Sequence, residues 1–309
     1  MRGAADGSTG RLPGGDPPPW SGQVVEGEAA AALVGRAIAR FPPEIAYVRV
    51  EVGRDPSHVV APGTVPSEDD WLPCDGLLGD PDWLATVIEH TGRSLGAGER
   101  VVAASLFAQN YAYRVLMAAV ACMTTSGVVP DCRAEAMAIT VARGRPYVVG
   151  YDAPTVLVGC GAVGGGEGEP VEVRRRFAGT DLALDYLLHG AIDAHLALLV
   201  DTTRARLRIG ERLLWGNIAA SAAVAFRTMD GCLGPWVRPV GERFFERAPG
   251  ELQALGSFLA LEQDGRRGWF WERTNCCLYD RLPGKIRCAD CSRTPPAERR
   301  VAYLRSLST

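Results

Sequence analysis

Cys276, Cys277, Cys288 and Cys291 fall within sixteen residues of a 309-residue chain, and no other feature of the sequence restricts its fold so tightly. Thiols this close can serve one metal site, but only if the chain between the two pairs reverses. Pro283-Gly284 supplies that reversal, because Pro presets the first turn position and Gly accepts the positive φ of the next. The other five cysteines, Cys74, Cys122, Cys132, Cys160 and Cys232, stand singly in apolar segments, where a thiol packs as a small hydrophobe. A disulfide scaffold is disfavoured, and the clustered thiols are read as ligands that a reducing compartment preserves.

The spacing is two adjacent cysteines, ten residues, then C-x-x-C. Neighbouring side chains diverge, whereas one tetrahedral zinc ion must receive both sulfurs from converging directions at about 2.3 Å. A two-iron cluster is larger and offers its terminal positions over a wider body, so the adjacent pair favours iron–sulfur over zinc. A structural zinc knuckle, a vicinal disulfide and buried free thiols remain open on spacing alone. Residues 266–305 carry ten basic against four acidic side chains, which either support a reduced cluster and an anionic partner or form an ordinary solvated face.

The rest of the chain reads as a mainly helical α+β body. With a net charge of −3 and no basic stripe, a nucleic-acid partner is excluded. Residues 1–25 form a Gly/Pro-rich tail, expected to be disordered and lacking the apolar core of a secretory signal. No run reaches the roughly 20 uncharged residues that span a bilayer, so no transmembrane segment is expected and the chain is read as soluble and cytoplasmic. Residues 26–262 are expected to form the body, and residues 263–309 a C-terminal metal module packed on it.

Within the body, Glu28–Phe41 has helical periodicity and stops at Pro42-Pro43, and Ile45–Val52 alternates as a strand. Helices are expected over Asp80–Leu95, Gly98–Thr125, Thr180–Arg206 and Arg208–Thr228, with a last one over Pro295–Leu307. Ala136–Ala142 and Pro146–Tyr151, separated by Arg143-Gly144-Arg145, predict a hairpin in a small antiparallel sheet. Gly159, Gly161 and Gly164 formally complete G-x-G-x-x-G, but the glycines and Pro170 that follow forbid the helix a dinucleotide site needs, so a loop is expected. The four histidines show no shared metal spacing, and His189 and His195 fall on different helix faces.

The segment Arg273-Thr274-Asn275-Cys276-Cys277-Leu278-Tyr279-Asp280, followed by Cys288-Ala289-Asp290-Cys291, resembles the C-terminal signature of FhuF-type ferric-siderophore reductases. Leu213-Leu214-Trp215-Gly216-Asn217 resembles a Trp-Gly-Asn segment of the same family, and Leu106–Met117 resembles its middle more loosely. Asp280 departs from the pattern, standing where many relatives have a second aromatic.

The resemblance implies a [2Fe-2S] cluster on Cys276, Cys277, Cys288 and Cys291, and a cytoplasmic oxidoreductase that reduces siderophore-bound Fe(III) and releases Fe(II). The chemistry agrees: one electron converts hard ferric iron into a softer ion that oxygen ligands hold less tightly, and no catalytic acid, base or nucleophile is required. A ferredoxin, flavodoxin or flavin reductase is the expected donor. Trp215 and Asn217 either line the approach to cluster or substrate, or pack a helix around a satisfied amide. Arg273 and Arg281 either contact an anionic ferric complex or donor, or are surface charges. The rival readings are a siderophore-synthetase relative, a zinc-knuckle interaction protein and an iron or redox sensor; no P-loop and no helix-turn-helix accompanies the cysteines.

Overall fold

The computed structural model describes residues 23–53, 56–152, 154–158 and 181–307. Most of the tail, the glycine-rich loop at 159–168, Cys160 and Thr180 lie outside the described residues.

Two long helices form the centre, α4 (Arg100–Ser126) and α6 (Glu211–Leu233). Both are rich in buried alanine, which lets long helices lie close together, and buried Phe107, Tyr111 and Phe226 fill the larger gaps. Hydrogen bonds cross between them as well: Ser221 Oγ donates to the Gln109 carbonyl at 2.9 Å, and Asn217 Nδ2 donates to the Ser105 carbonyl at 2.9 Å. Gly127, at φ 69°, ends α4 in the left-handed conformation that a residue without Cβ adopts cheaply.

Around this pair lie α1 (Gly27–Ile38), α2 (Cys74–Gly79), α3 (Pro81–Leu95), α5 (Asp181–Arg206) and α7 (Val237–Arg247), with a single turn α8 (Gly250–Gln253). At the start of α3, Asp80 accepts from the backbone of Asp82 and Trp83, and Pro81 occupies the first turn. Helix α5 is π-helical from Leu188 to Leu196, which carries His195 into the core. His195 lies 2.7 Å from both the Cys132 carbonyl (through Nδ1) and the Tyr111 hydroxyl (through Nε2). A carbonyl only accepts, so Nδ1 carries the proton and Nε2 accepts from Tyr111. His189 is exposed beside Asp193, on another face as expected. By length and composition α5 could cross a membrane, but 61% of its apolar window is buried inside the protein.

The strands form three small sheets. β1 (Gln23–Val25), β7 (Val156–Val158) and β4 (Val128–Pro130) make one antiparallel sheet in the order β1-β7-β4, so residues 23–25 are ordered strand. The second has the order β2-β6-β5-β3, from β2 (Arg49–Val52), β6 (Arg145–Tyr151), β5 (Met137–Ala142) and β3 (Trp71–Pro73). The expected hairpin is its centre, turning through Arg143 and Gly144 at φ 49° and 70°. The sheet is mixed, however, because β2 runs parallel to β6, a pairing between distant segments that periodicity cannot reveal. The strand expected over Ile45–Val52 begins only at Arg49, and Ile45 instead closes a 3-10 turn over Pro43–Ile45.

The third sheet is the hairpin of β8 (Gly256–Gln263) and β9 (Arg266–Arg273), which straddles residue 263. Its turn, Asp264-Gly265, has both residues at positive φ, as a tight two-residue hairpin demands. Buried Trp269 and Trp271 join the main core, where Trp271 stacks on Phe245 of α7 at 4.4 Å. Phe270 faces the other way and stacks on Tyr303 of α9 (Pro296–Leu307) at 4.6 Å. Strand alternation thus fastens the hairpin to the body on one side and to the last helix on the other.

Candidate metal centre

β9 delivers the chain directly to the cysteines. Thr274 continues the pairing by donating its backbone N–H to the Leu255 carbonyl at 3.0 Å. Asn275 then lies on α6, where its Nδ2 reaches the Leu213 carbonyl at 3.3 Å. The approach depends on Gly216, since a Cβ there would fall 2.0 Å from the Asn275 side chain.

Beyond Cys276 and Cys277, Leu278 adopts a left-handed backbone at φ 66°. This strained conformation turns its N–H back onto Cys276 Sγ at 3.3 Å. A 3-10 turn over Tyr279–Arg281 follows, and Leu282 is buried. Lys285 N–H then donates to the Leu282 carbonyl at 3.1 Å across Pro283-Gly284, with Gly284 at φ 68°, so the expected reversal is a tight β-turn. Cys291 N–H closes on the Cys288 carbonyl at 3.1 Å, and Thr294 N–H closes on the Cys291 carbonyl before α9 begins. Asp280 braces the loop by accepting from Arg293 Nη1 at 2.9 Å.

A buried polar chain fixes this segment to the central helices. Arg273 is 3% exposed; its Nη2 donates to Asn217 Oδ1 at 2.9 Å and its Nε to the Asn275 carbonyl at 2.7 Å. Asn217 in turn donates to both the carbonyl and Oγ of Ser105, at 2.9 Å each. Ser105 Oγ completes the chain by donating to the Cys277 carbonyl at 2.7 Å. Every polar group of the Asn217 amide is therefore paired, as burial requires.

The thiols share one neighbourhood. Cys288 donates to Cys277, and that bond, reinforced by the charge of Arg273, holds the Cys277 thiol down to about 6 against the opposing effect of burial. Cys288 keeps the proton and is pushed up, chiefly by the same bond. Burial raises Cys276 first of all, while the Leu278 N–H favours its thiolate. Among the described residues, no three His, Cys, Asp or Glu side chains converge closely enough to hold a single ion. An all-sulfur donor set near a buried guanidinium and a backbone N–H has the chemistry that suits iron–sulfur ligation.

The other sequence-derived site residues separate. Asn217 and Arg273 belong to the clamp; Arg273 is neither a surface charge nor a free contact, because its guanidinium is turned inward. Arg281 is exposed and pairs with Glu99 at 3.1 Å. Trp215 is half-buried against the main core. Ser105 and Asn275 escaped the sequence reading: nothing local marks a helix serine or a strand-end asparagine as a partner of residues far along the chain. Cys74, Cys122 and Cys132 are buried and Cys232 is partly buried, and Cys132 Sγ donates to the Pro130 carbonyl at 3.4 Å.

Fold and site together define a mainly helical protein with a thiol-rich C-terminal segment clamped onto its central helix pair. Residues 105–249, from Ser105 in α4 to just past α7, match the family described as ferric iron reductase FhuF-like transporter. The matched span ends before the cysteines. Among solved structures, the chain is similar to ATP-bound aerobactin synthetase IucA from a hypervirulent pathotype of Klebsiella pneumoniae, at 12% identity and a TM-score of 0.46. That similarity covers 69% of this chain and 42% of the synthetase, so the chain spans less than half the length of that protein. No curated protein matches it.

Proposed function

We propose that the protein is a cytoplasmic ferric-siderophore reductase that holds a [2Fe-2S] cluster on Cys276, Cys277, Cys288 and Cys291. One observation carries the reading: the cysteine segment is clamped by Ser105 and Asn217, which both lie inside the span matching the FhuF-like family. The family supports ferric-reductase chemistry, and the clamp ties the thiols to the family's own helices.

Such a cluster would supply electrons one at a time, the stoichiometry that Fe(III) to Fe(II) requires. The chain's own residues do the positioning. Ser105 holds the Cys277 carbonyl, Asn275 is seated over Gly216, and Leu278 aims its N–H at Cys276 Sγ. Buried Arg273 offsets negative charge on the thiolates, which favours the more negative, reduced state. The electron would come from a soluble donor such as a ferredoxin, flavodoxin or flavin reductase, and the ferrous ion leaves because oxygen ligands hold it less tightly.

The test is purification without oxygen, followed by assay of iron, acid-labile sulfide and zinc, and paramagnetic resonance after dithionite reduction. About two irons and two sulfides per chain with a reduced-state signal are expected from [2Fe-2S] ligation. Cys288→Ser should lose both, whereas Cys122→Ser should keep both. Mixing the reduced protein with a ferric siderophore and a ferrous-specific dye then reads iron release. Stoichiometric zinc without sulfide would replace this reading with a structural zinc module.

A further inference from the structure

Beside the cysteine segment the helices leave a cavity of about 340 Å³. Its walls are α4, α6, the end of α3 and the β5–β6 turn, with Tyr279 and Leu282, from the segment between the two cysteine pairs, forming a further wall, and it opens to solvent. Anything filling it therefore touches a side chain two residues from Cys277. Its size is at the lower end for small-molecule sites, enough for one face or arm of a larger complex.

The lining has an uncommon balance of polar groups. Leu106, Phe107 and Leu282 make it largely apolar. Three of the hydroxyls are committed: Thr91 donates to the Val87 carbonyl, Ser221 donates to the Gln109 main-chain carbonyl, and Tyr113 shares a 2.6 Å bond with Tyr47. Left without a protein hydrogen-bond partner among the described residues are the Tyr279 hydroxyl and two carboxamides, those of Gln109 and Asn110. Asn110 Oδ1 is moreover buried without a partner, a costly state for an amide that a rotation of this partly exposed side chain into the cavity would relieve. Among the described residues, the only charged side chain of the lining is exposed Arg145, and none of them brings a carboxylate.

We propose that this cavity is the substrate site: it takes a ferric chelate of low net charge whose scaffold carries amide or hydroxyl groups, engaged by Gln109 and Asn110, with Tyr279 between the chelate and the cysteines. The proposal rests on the reductase reading for the nature of the ligand. A carboxamide both donates and accepts, so the pair suits an oxygen- and amide-rich scaffold. A highly anionic complex would meet one cation and an apolar wall, a poor exchange for its hydration.

The test uses gallium(III), which replaces ferric iron in oxygen chelates but is not reduced, so binding is read apart from electron transfer. The gallium complex of desferrioxamine E, uncharged and amide-bearing, is titrated into the full-length protein by calorimetry. Binding is expected, weakened about tenfold by Asn110→Ala, the equivalent of one good hydrogen bond, and abolished by Val224→Trp, which fills the cavity. Thermal melts identify any variant that fails to fold, and Gln109→Ala then serves in its place. No binding to the wild type, equal affinity in the variants, or tighter binding of a trianionic gallium tris-catecholate would overturn the assignment. Ferric reduction at unchanged rate in the variants would also overturn it while leaving the reductase reading intact. Gallium binding lost in the variants, with no ferric reduction by wild type, would uphold the site and sink the reductase.

Discussion

Asn217→Ala is the most incisive single change, because it removes the centre of the clamp without touching a thiol. The wild-type amide accepts from the Arg273 guanidinium and donates twice to Ser105, all at 2.9 Å and all away from water. A hydrogen bond to a charged group contributes about 1.5–3 kcal/mol and each neutral one about 0.5–1.5, so the sum is about 2.5–6. The two bonds to Ser105 share one amide nitrogen and Ser105 Oγ keeps its bond to Cys277, so the lower half applies, about 3 kcal/mol. That is a large share of the roughly 5–15 kcal/mol that keeps a domain folded, yet not all of it. Urea unfolding under anaerobic, reducing conditions should show a lower midpoint at an unchanged slope. Asn217→Asp should lose less, since it keeps an acceptor for Arg273. A cycle with Ser105→Ala should show coupling, because the two side chains share a bond. A loss below about 1 kcal/mol for Asn217→Ala, or strict additivity in the cycle, would refute the clamp as an energetic unit.

Two glycines of α6 should respond oppositely to alanine. Gly231, with nothing within 4 Å of a built Cβ, should gain up to about 1 kcal/mol of helix propensity, whereas Gly216→Ala should lose stability by pushing Asn275 off the helix, a contrast that thermal melts can read. His195 supplies a pH dependence. Burial lowers its pKa to about 4 from an ordinary 6.5, so between those values the unfolded chain binds a proton that the folded chain does not. Its contribution is complete above pH 6.5 and is lost as the pH falls toward 4, on the order of 3 kcal/mol in all; urea midpoints for His195→Gln should lack that slope. Finally, Asp280→Ala should release Arg293 and loosen the loop between the cysteine pairs, which proteolysis of that loop should detect as faster cleavage.

Much of the body was legible beforehand for identifiable reasons. The α4 and α3 helices announce themselves through uninterrupted apolar periodicity and Asp80-Pro81, and the β5–β6 hairpin through a short Arg-Gly turn between β-prone runs. The Asp264-Gly265 turn is an equally strong local signal for β8–β9, although the expected boundary after residue 262 cuts through that hairpin. The parallel β2–β6 pairing and the π-helical stretch around His195 left no local mark, because both are decided by distant partners. Of the sequence-derived site residues, Asn217 and Arg273 were noticed for their place in a motif, and their partnership with each other, across 56 residues, was not.

By itself the sequence determined the thiol cluster, its reversing turn, the helical character of the body and the resemblance to a reductase family, since residue identity and short spacing express each of them. Tertiary structure alone decided that Ser105, Asn217 and Arg273 form one buried chain, that Gly216 is the seat of Asn275, and that a cavity with two uncommitted carboxamides abuts the cysteine turn. These depend on which helix faces meet, and that is settled by packing the whole core at once, not by any local preference.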